Sequence, residues 1–137
     1  MRLPEQRLWD RMRAALRPRG VLLHRIENIV GEGMPDVVAC CRGTVTFVEL
    51  KAIDVPPVRA TTPLLGEKRG LSAAQKNWHH DWNAAGGATL ILIGIGQEIA
   101  VIDGSDADVV NAMSAGDVRR VSLANTWVSL AELLGER

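Results

Sequence analysis

The sequence predicts an α/β domain built on a mixed sheet, and three observations carry that prediction. Two β-rich runs, "DVVACC" and "TVTFVELKA", flank a short turn. "ATLILIGIG" is a continuous apolar run, suited to a strand buried on both faces. Stretches of helical period stand on either side of these strands, at 4–17 and 72–85.

The elements follow in chain order. Leu8, Met12, Ala15 and Leu16 recur at helical spacing with Trp9 beside them, and Pro4 suits a first helical turn. "RPRG" ends that helix, and "VLLHRI" (21–26) reads as a strand. "ENIVGEGM" is a glycine-containing loop before the hairpin. Residues 53–70 carry three prolines and no period, and a loop of that length is usually functional or mobile. A helix from Ser72 to about Ala85 is closed by Gly86-Gly87. After the apolar strand come a short strand, "EIAVIDG", and two helical stretches, "SDADVVNAM" and "NTWVSLAELLGE". The expected order is α-β-β-β-α-β-β-α-α.

A chain of 137 residues, 47% hydrophobic and 23% charged, suits one domain with a single core. No apolar run is long enough to span a membrane. The charged N-terminal stretch lacks a signal core, and the adjacent Cys40 and Cys41 point to opposite faces of a strand. A cytoplasmic protein with reduced thiols is expected. The net charge of zero is unevenly spread: residues 1–76 hold 13 Lys and Arg against 8 Asp and Glu, and residues 77–137 hold 3 against 8. The basic half could contact phosphate, or be a solvated helix face.

The hairpin raises the chemical question. With Arg42-Gly43 as a two-residue turn, Cys41 pairs with Thr44, and the same register sets Asp36 opposite Glu49. Their Cβ atoms would then be roughly 4.5–5.5 Å apart. Lys51, two residues beyond Glu49, shares its face. Both faces of the hairpin are mostly apolar, so cover on both sides is expected. Facing carboxylates repel, and a divalent cation reverses that penalty. Oxygen ligands without a Cys–His set favour Mg²⁺ or Mn²⁺ over zinc. A surface strand end with a Glu–Lys pair is the alternative reading of the same pattern.

"PD" followed by "ELK" resembles the PD-(D/E)xK nuclease signature. The wider order comprises Glu5 on a first helix, "RIENIVGEGMPD", the hairpin, "LSAAQ", a helix ending in Gly-Gly and an apolar strand. It is similar to the VRR-NUC (virus-type replication-repair nuclease) group, with archaeal Holliday-junction resolvases as relatives. The resemblance covers about residues 3–103, and 104–137 read as a C-terminal helical extension of one nuclease domain, 1–137. It implies a restriction-endonuclease-like core (αβββαβ) and a Mg²⁺-dependent (or Mn²⁺-dependent) endonuclease. The implied substrate is branched or flapped DNA in phage replication, recombination or repair, and a homodimer is implied as well. Asp36 and Glu49 match the family's metal-binding carboxylates, with the Leu50 carbonyl beside them. Lys51 matches the lysine that orients or deprotonates the attacking water or stabilises developing charge. Gln75 matches the helix glutamine, and Glu5 the first-helix glutamate. The long Pro-rich segment after "ELK" departs from the shorter link of many members. An end-processing nuclease, or a catalytically silent DNA-binding subunit of the same fold, are the alternatives.

The remaining candidates have plainer readings beside the functional ones. Glu5 shares a helical stripe with Leu8, Trp9 and Met12, and also suits the helix dipole. Glu27 is a rival acid. "SAAQ" is a capping box as well as a site motif. Trp78 and Trp82 read as core residues, and as possible base-stacking platforms. His79 and His80 read as a solvated pair. Arg7, Arg11, Arg25 and Asn28 are the candidate DNA contacts, within a run that also holds Arg13, Arg17 and Arg19. The C-terminal helix, with Trp127, Leu130, Leu133 and Leu134, is a candidate interface or a core helix.

Overall fold

The structure, a computed structural model, describes residues 3–26 and 33–136. Helix α1 (Pro4–Leu16) buries Leu8, Trp9, Met12 and Leu16, the stripe its spacing predicts. Strands β1 (Leu22–Arg25), β2 (Val37–Cys41) and β3 (Thr44–Ile53) follow as an antiparallel meander. One helical turn, α2 (Gly66–Arg69), interrupts the proline-rich segment. Helix α3 (Ala73–Ala84) then crosses over to β4 (Ala88–Ile95), which pairs parallel with β3. Strand β5 (Glu98–Asp103) closes the sheet antiparallel to β4, giving the order β1-β2-β3-β4-β5.

The hairpin register is the expected one. Arg42 and Gly43 both have positive φ, 51° and 81°, which makes a two-residue turn whose twist matches the strands. Cys41 pairs with Thr44 and Val37 with Val48.

One face of the sheet packs against α1 and α5 (Trp127–Glu136) through Val37, Ala39, Val48, Leu50, Leu90 and Leu92. Leu130 and Leu134 are buried there, so α5 is a core helix. On the other face, Ile91, Ile93 and Ile102 pack under Leu64, Leu65, Leu71, Val110 and Val118. That second cover stops short of the hairpin; α3 covers Phe47, Glu49 and Lys51 on the same face, so the expected cover on both sides holds at the Glu49 end and fails only at the turn end. Leu22, Cys40 and Val45 form a row across β1, β2 and β3 on the open face, with Leu22 60% and Val45 48% exposed.

Two further expectations change. "SDADVVNAM" is not one helix but two 3-10 turns, Gly104–Asp106 and Val110–Ala112. A Cβ on buried Gly104 would overlap the Thr89 hydroxyl, so the chain is packed tightly at the point where a helix would begin. A helix absent from the sequence reading, α4 (Ala115–Val121), starts instead at Ser114, whose hydroxyl accepts from Asp117 N–H.

Candidate active site

The site is built at the end of the hairpin, on the β3 face that α3 approaches. Asp36 stands one residue before β2, where the register sets it across from Glu49. β2 ends here, so the Leu50 N–H has no strand partner and donates to Asp36 Oδ2 at 2.8 Å. A strand residue presents its N–H and C=O to the same edge, so the Leu50 carbonyl lies on the Asp36 side too.

Glu49 is 1% exposed. Its Oε1 has no hydrogen-bond partner among the described residues, and Oε2 accepts only a long contact of 3.4 Å from Gln75 Nε2. Burial pushes its pKa up to about 10, helped by the neighbouring Asp36 carboxylate. Lys51, also buried, donates to Gln75 Oε1 at 3.5 Å. Gln75 thus touches both β3 side chains. It also forms the capping box of α3: its Oε1 accepts from Ser72 N–H, and its own N–H donates to Ser72 Oγ. Capping and site contact are made by one side chain. Gly33, with φ +83°, lets the chain before Asp36 run against α3, because a Cβ there would overlap the Ala74 carbonyl.

Glu5 reaches the same place from the first turn of α1. Its pKa is raised by burial and by Asp36, and held down by Lys51 and Arg25, so all three lie within its electrostatic reach. An open cleft of about 650 Å³ is lined by Glu5, Lys51, Asp54, Lys68 and Arg69 among others.

Among the described residues no three His, Cys, Asp or Glu side chains are close enough to hold a metal ion by themselves. The donor set that is present is the Asp36–Glu49 pair with the Leu50 carbonyl, and Glu5 near it. Mg²⁺ keeps several waters and needs only one or two carboxylates. The unpartnered Glu49 Oε1, buried beside a second carboxylate, fits such an ion: a cation there would satisfy the oxygen and offset the repulsion.

The candidate DNA contacts separate. Arg25 lies at the end of β1, exposed and near Glu5. Arg7 is held by Asp54, with 2.7 and 2.9 Å to its two carboxylate oxygens. Arg11 donates to the carbonyls of Gly96 and Gln97 and lies over the Trp127 ring. Both therefore tie α1 to neighbouring elements. Asn28 and the rival acid Glu27 lie outside the described residues. Lys68 and Arg69 escaped the sequence reading, although the "KR" of "GEKRG" was the cue: two adjacent cations inside a long loop.

The aromatic and histidine pairs also resolve. Trp78 and Trp82 stack at 5.1 Å, and both meet Phe47 edge-on. They flank the sheet face instead of entering the core, and Trp82 is 38% exposed. His79 and His80 are not a solvated pair. His79 is fully buried and bonded to Thr89 Oγ1 at 2.8 Å, while exposed His80 pairs with Asp108. Adjacent helix positions diverge, so one imidazole faces β4 and the other faces water.

No family model matches the chain, and no curated protein does. Solved structures do resemble it. The Holliday junction resolvase Hjc of Archaeoglobus fulgidus, an archaeal hyperthermophile, superposes with a TM-score of 0.62 at 14% identity, over 95% of this chain and 99% of that one. A VRR_NUC domain superposes with a TM-score of 0.52 at 18% identity, over 70% of this chain and 89% of that one. The fold is therefore the restriction-endonuclease-like α/β fold expected from the sequence. The likeness to Hjc runs past residue 103 into the C-terminal elements. Among the described residues no helix is long and apolar enough to cross a membrane.

Proposed function

We propose that this chain is a divalent-metal-dependent DNA endonuclease, hydrolysing phosphodiester bonds in branched or structured DNA of the Holliday-junction or flap type. The observation that carries the reading is one buried spot where Asp36, Glu49, Lys51 and Gln75 meet, in a fold shared with a Holliday junction resolvase and a VRR_NUC domain. Recombination, replication or repair in a bacterial or phage-infected cell is the setting this reading suggests.

Asp36, Glu49 and the Leu50 carbonyl would hold Mg²⁺ or Mn²⁺, with Glu5 as a further acid. When bound, the ion neutralises phosphate charge, lowers the pKa of its water and aligns it for attack. The chain's own groups do the rest. The Leu50 N–H fixes one oxygen of Asp36. Gln75 sets the rotamers of Glu49 and Lys51 together, because its amide contacts both. The Lys51 ammonium, on the cleft wall, serves as proton-transfer group or as fixed cation facing the phosphate. A silent DNA-binding subunit would have no need of this full set.

We include a homodimer in the proposal, with the open face of β1–β3 as its contact. The Leu22–Cys40–Val45 row and Trp82 form an apolar surface on the same side of the sheet as Glu49 and Lys51. A second copy, carrying the same neutral patch, would cover it and bring two sites to two strands.

The test is incubation with single-stranded, duplex, flap and four-way-junction DNA in Mg²⁺, with a chelator control. Metal-dependent cleavage of the branched substrates is expected. Cleavage of free ends alone would favour the end-processing alternative. Binding without cleavage of any substrate would favour the silent subunit.

A further inference from the structure

Lys68 and Arg69, two basic side chains on the cleft, form no side-chain ion pair or hydrogen bond among the described residues. Several other arginines are already partnered: Arg7 with Asp54, Arg13 with Asp10, Arg119 with Glu98 and Arg120 with Asp117. Lys68 and Arg69 nonetheless line the same 650 Å³ cleft as Lys51 and Glu5. Glu67 precedes them on the one-turn helix, and Asp54 on the cleft wall is neutralised by Arg7. Two cations without an ion pair among the described residues thus line the cleft that Lys51 and Glu5 also line.

The turn that carries them is fastened at both ends. On the entering side, the Leu64 N–H donates to the Met113 carbonyl at 2.8 Å, Pro63 bridges to Ser114, and Leu64 and Leu65 are buried. On the leaving side, buried Asn111 grips the Leu71 backbone twice. Its Oδ1 accepts from Leu71 N–H at 2.7 Å, and its Nδ2 donates to the Leu71 carbonyl at 2.9 Å. A Cβ on Gly70 would overlap the Asn111 amide, so the glycine lets that grip close. The next residue, Ser72, caps α3 and so leads directly to Gln75 in the site. The Gly66–Arg69 turn is therefore anchored on both sides, and its exposed side chains are the charged Glu67, Lys68 and Arg69.

We propose that the Gly66–Arg69 turn is the second wall of the DNA groove, with Lys68 and Arg69 binding backbone phosphates beside the one at Lys51 and Asn111 positioning the turn. The inference rests on the nuclease reading above. It gives a role to the long insertion after "ELK" and to residues 110–114, which brace it.

The experiment is fluorescence anisotropy with a labelled four-way junction in Ca²⁺, across a salt series. Wild type is compared with Lys68→Ala/Arg69→Ala, with the charge-matched Arg119→Ala/Arg120→Ala, and with Asn111→Ala. Each phosphate contact contributes about −0.9 to the log–log salt slope on duplex DNA, so the Lys68/Arg69 variant should lose about 1.8 of slope. It should also bind roughly 10-fold or more weakly at moderate salt, while the Arg119/Arg120 variant keeps the wild-type slope. Asn111→Ala removes no charge, yet should lower the slope while its circular dichroism remains native. An unchanged slope in a folded Asn111→Ala would overturn the positioning role. The Lys68 and Arg69 substitutions are on the surface, so they decide the question even if Asn111→Ala fails to fold. Wild-type binding with an unaltered slope in Lys68→Ala/Arg69→Ala would overturn this inference and leave the nuclease reading standing. No DNA binding by the wild type would overturn both.

Discussion

Replacing Glu49 by Gln in metal-free protein should make the fold more stable at alkaline pH. Glu49 is sealed from water, one of its oxygens has no partner, and its pKa is pushed up to about 10. In the unfolded chain the group returns to about 4.5. Between those values the folded state holds a proton that the unfolded state releases. The stability associated with protonated Glu49 is fully present below about pH 4.5 and is lost as pH rises towards 10. Each pH unit in that window costs up to about 1.4 kcal/mol, so the ceiling at pH 8 is roughly 5 kcal/mol. Structural relaxation reduces that, and a loss on the order of 2–4 kcal/mol between pH 5.5 and 8.5 is expected. Glutamine has the shape of the protonated acid and no charge to bury, so Glu49→Gln should escape this loss. Urea unfolding in chelator, at half-unit pH steps, reads the difference. Mn²⁺ should then raise the wild-type unfolding free energy, by about 2.7 kcal/mol at 100 times Kd, and the variant's far less. Parallel pH curves for the two proteins would refute the argument that Glu49 is a desolvated acid awaiting a cation.

Other expectations follow from single contacts. Gly33→Ala combines a left-handed φ with overlap onto the Ala74 carbonyl, and should cost about 3 kcal/mol or more. Gly86→Ala has a positive φ but open space, so about 1–2 kcal/mol is expected in the same denaturation assay. Equal costs would mean that the approach to α3 is looser than described. Burial, and then the His80 charge, lower His79 to about pH 4 from 6.5, so its neutral form is favoured in the fold. Stability tied to it is therefore present above pH 6.5 and lost as pH falls towards 4, by about 2 kcal/mol at pH 5. His79→Gln should flatten melting temperature over that range, and an unchanged acid slope would contradict the assignment. Leu22→Lys with Val45→Lys should convert a dimer into a folded monomer in sedimentation equilibrium. A dimer that survives both changes would place the contact elsewhere.

The hairpin was legible because its evidence is local. The residues "RG" select a two-residue turn, the turn sets the register, and the register brings Asp36 to Glu49. The capping box of α3 was legible for the same reason, since Ser72 and Gln75 are three residues apart. What stayed hidden depends on partners far along the chain. Nothing near Arg11 announces the carbonyls of Gly96 and Gln97. His79 looked solvated beside His80 until Thr89 supplied a buried partner. The 53–70 segment has no period because its anchors, Met113 and Asn111, come from the C-terminal part of the chain. Residues 105–113 have helical composition, yet they fold as parts of two 3-10 turns, next to a Gly104 that packs closely on Thr89, a partner fifteen residues away in sequence. The helix beginning at Ser114 was obscured by Gly116, although Ser114 and Asp117 stand at capping-box spacing.

The central claim is that Asp36, Glu49 and Lys51 form one metal-dependent hydrolytic centre. Single-turnover cleavage, with protein in excess over a four-way junction or flap in Mg²⁺, tests it most directly when wild type is set beside Asp36→Asn, Glu49→Gln and Lys51→Ala. Loss of several kcal/mol of transition-state stabilisation corresponds to a fall of about 10³-fold or more in rate. The account predicts that fall in each variant while junction affinity in Ca²⁺ stays within a few-fold of wild type. A Glu49→Gln protein that cleaves within a few-fold of the wild-type rate would contradict it.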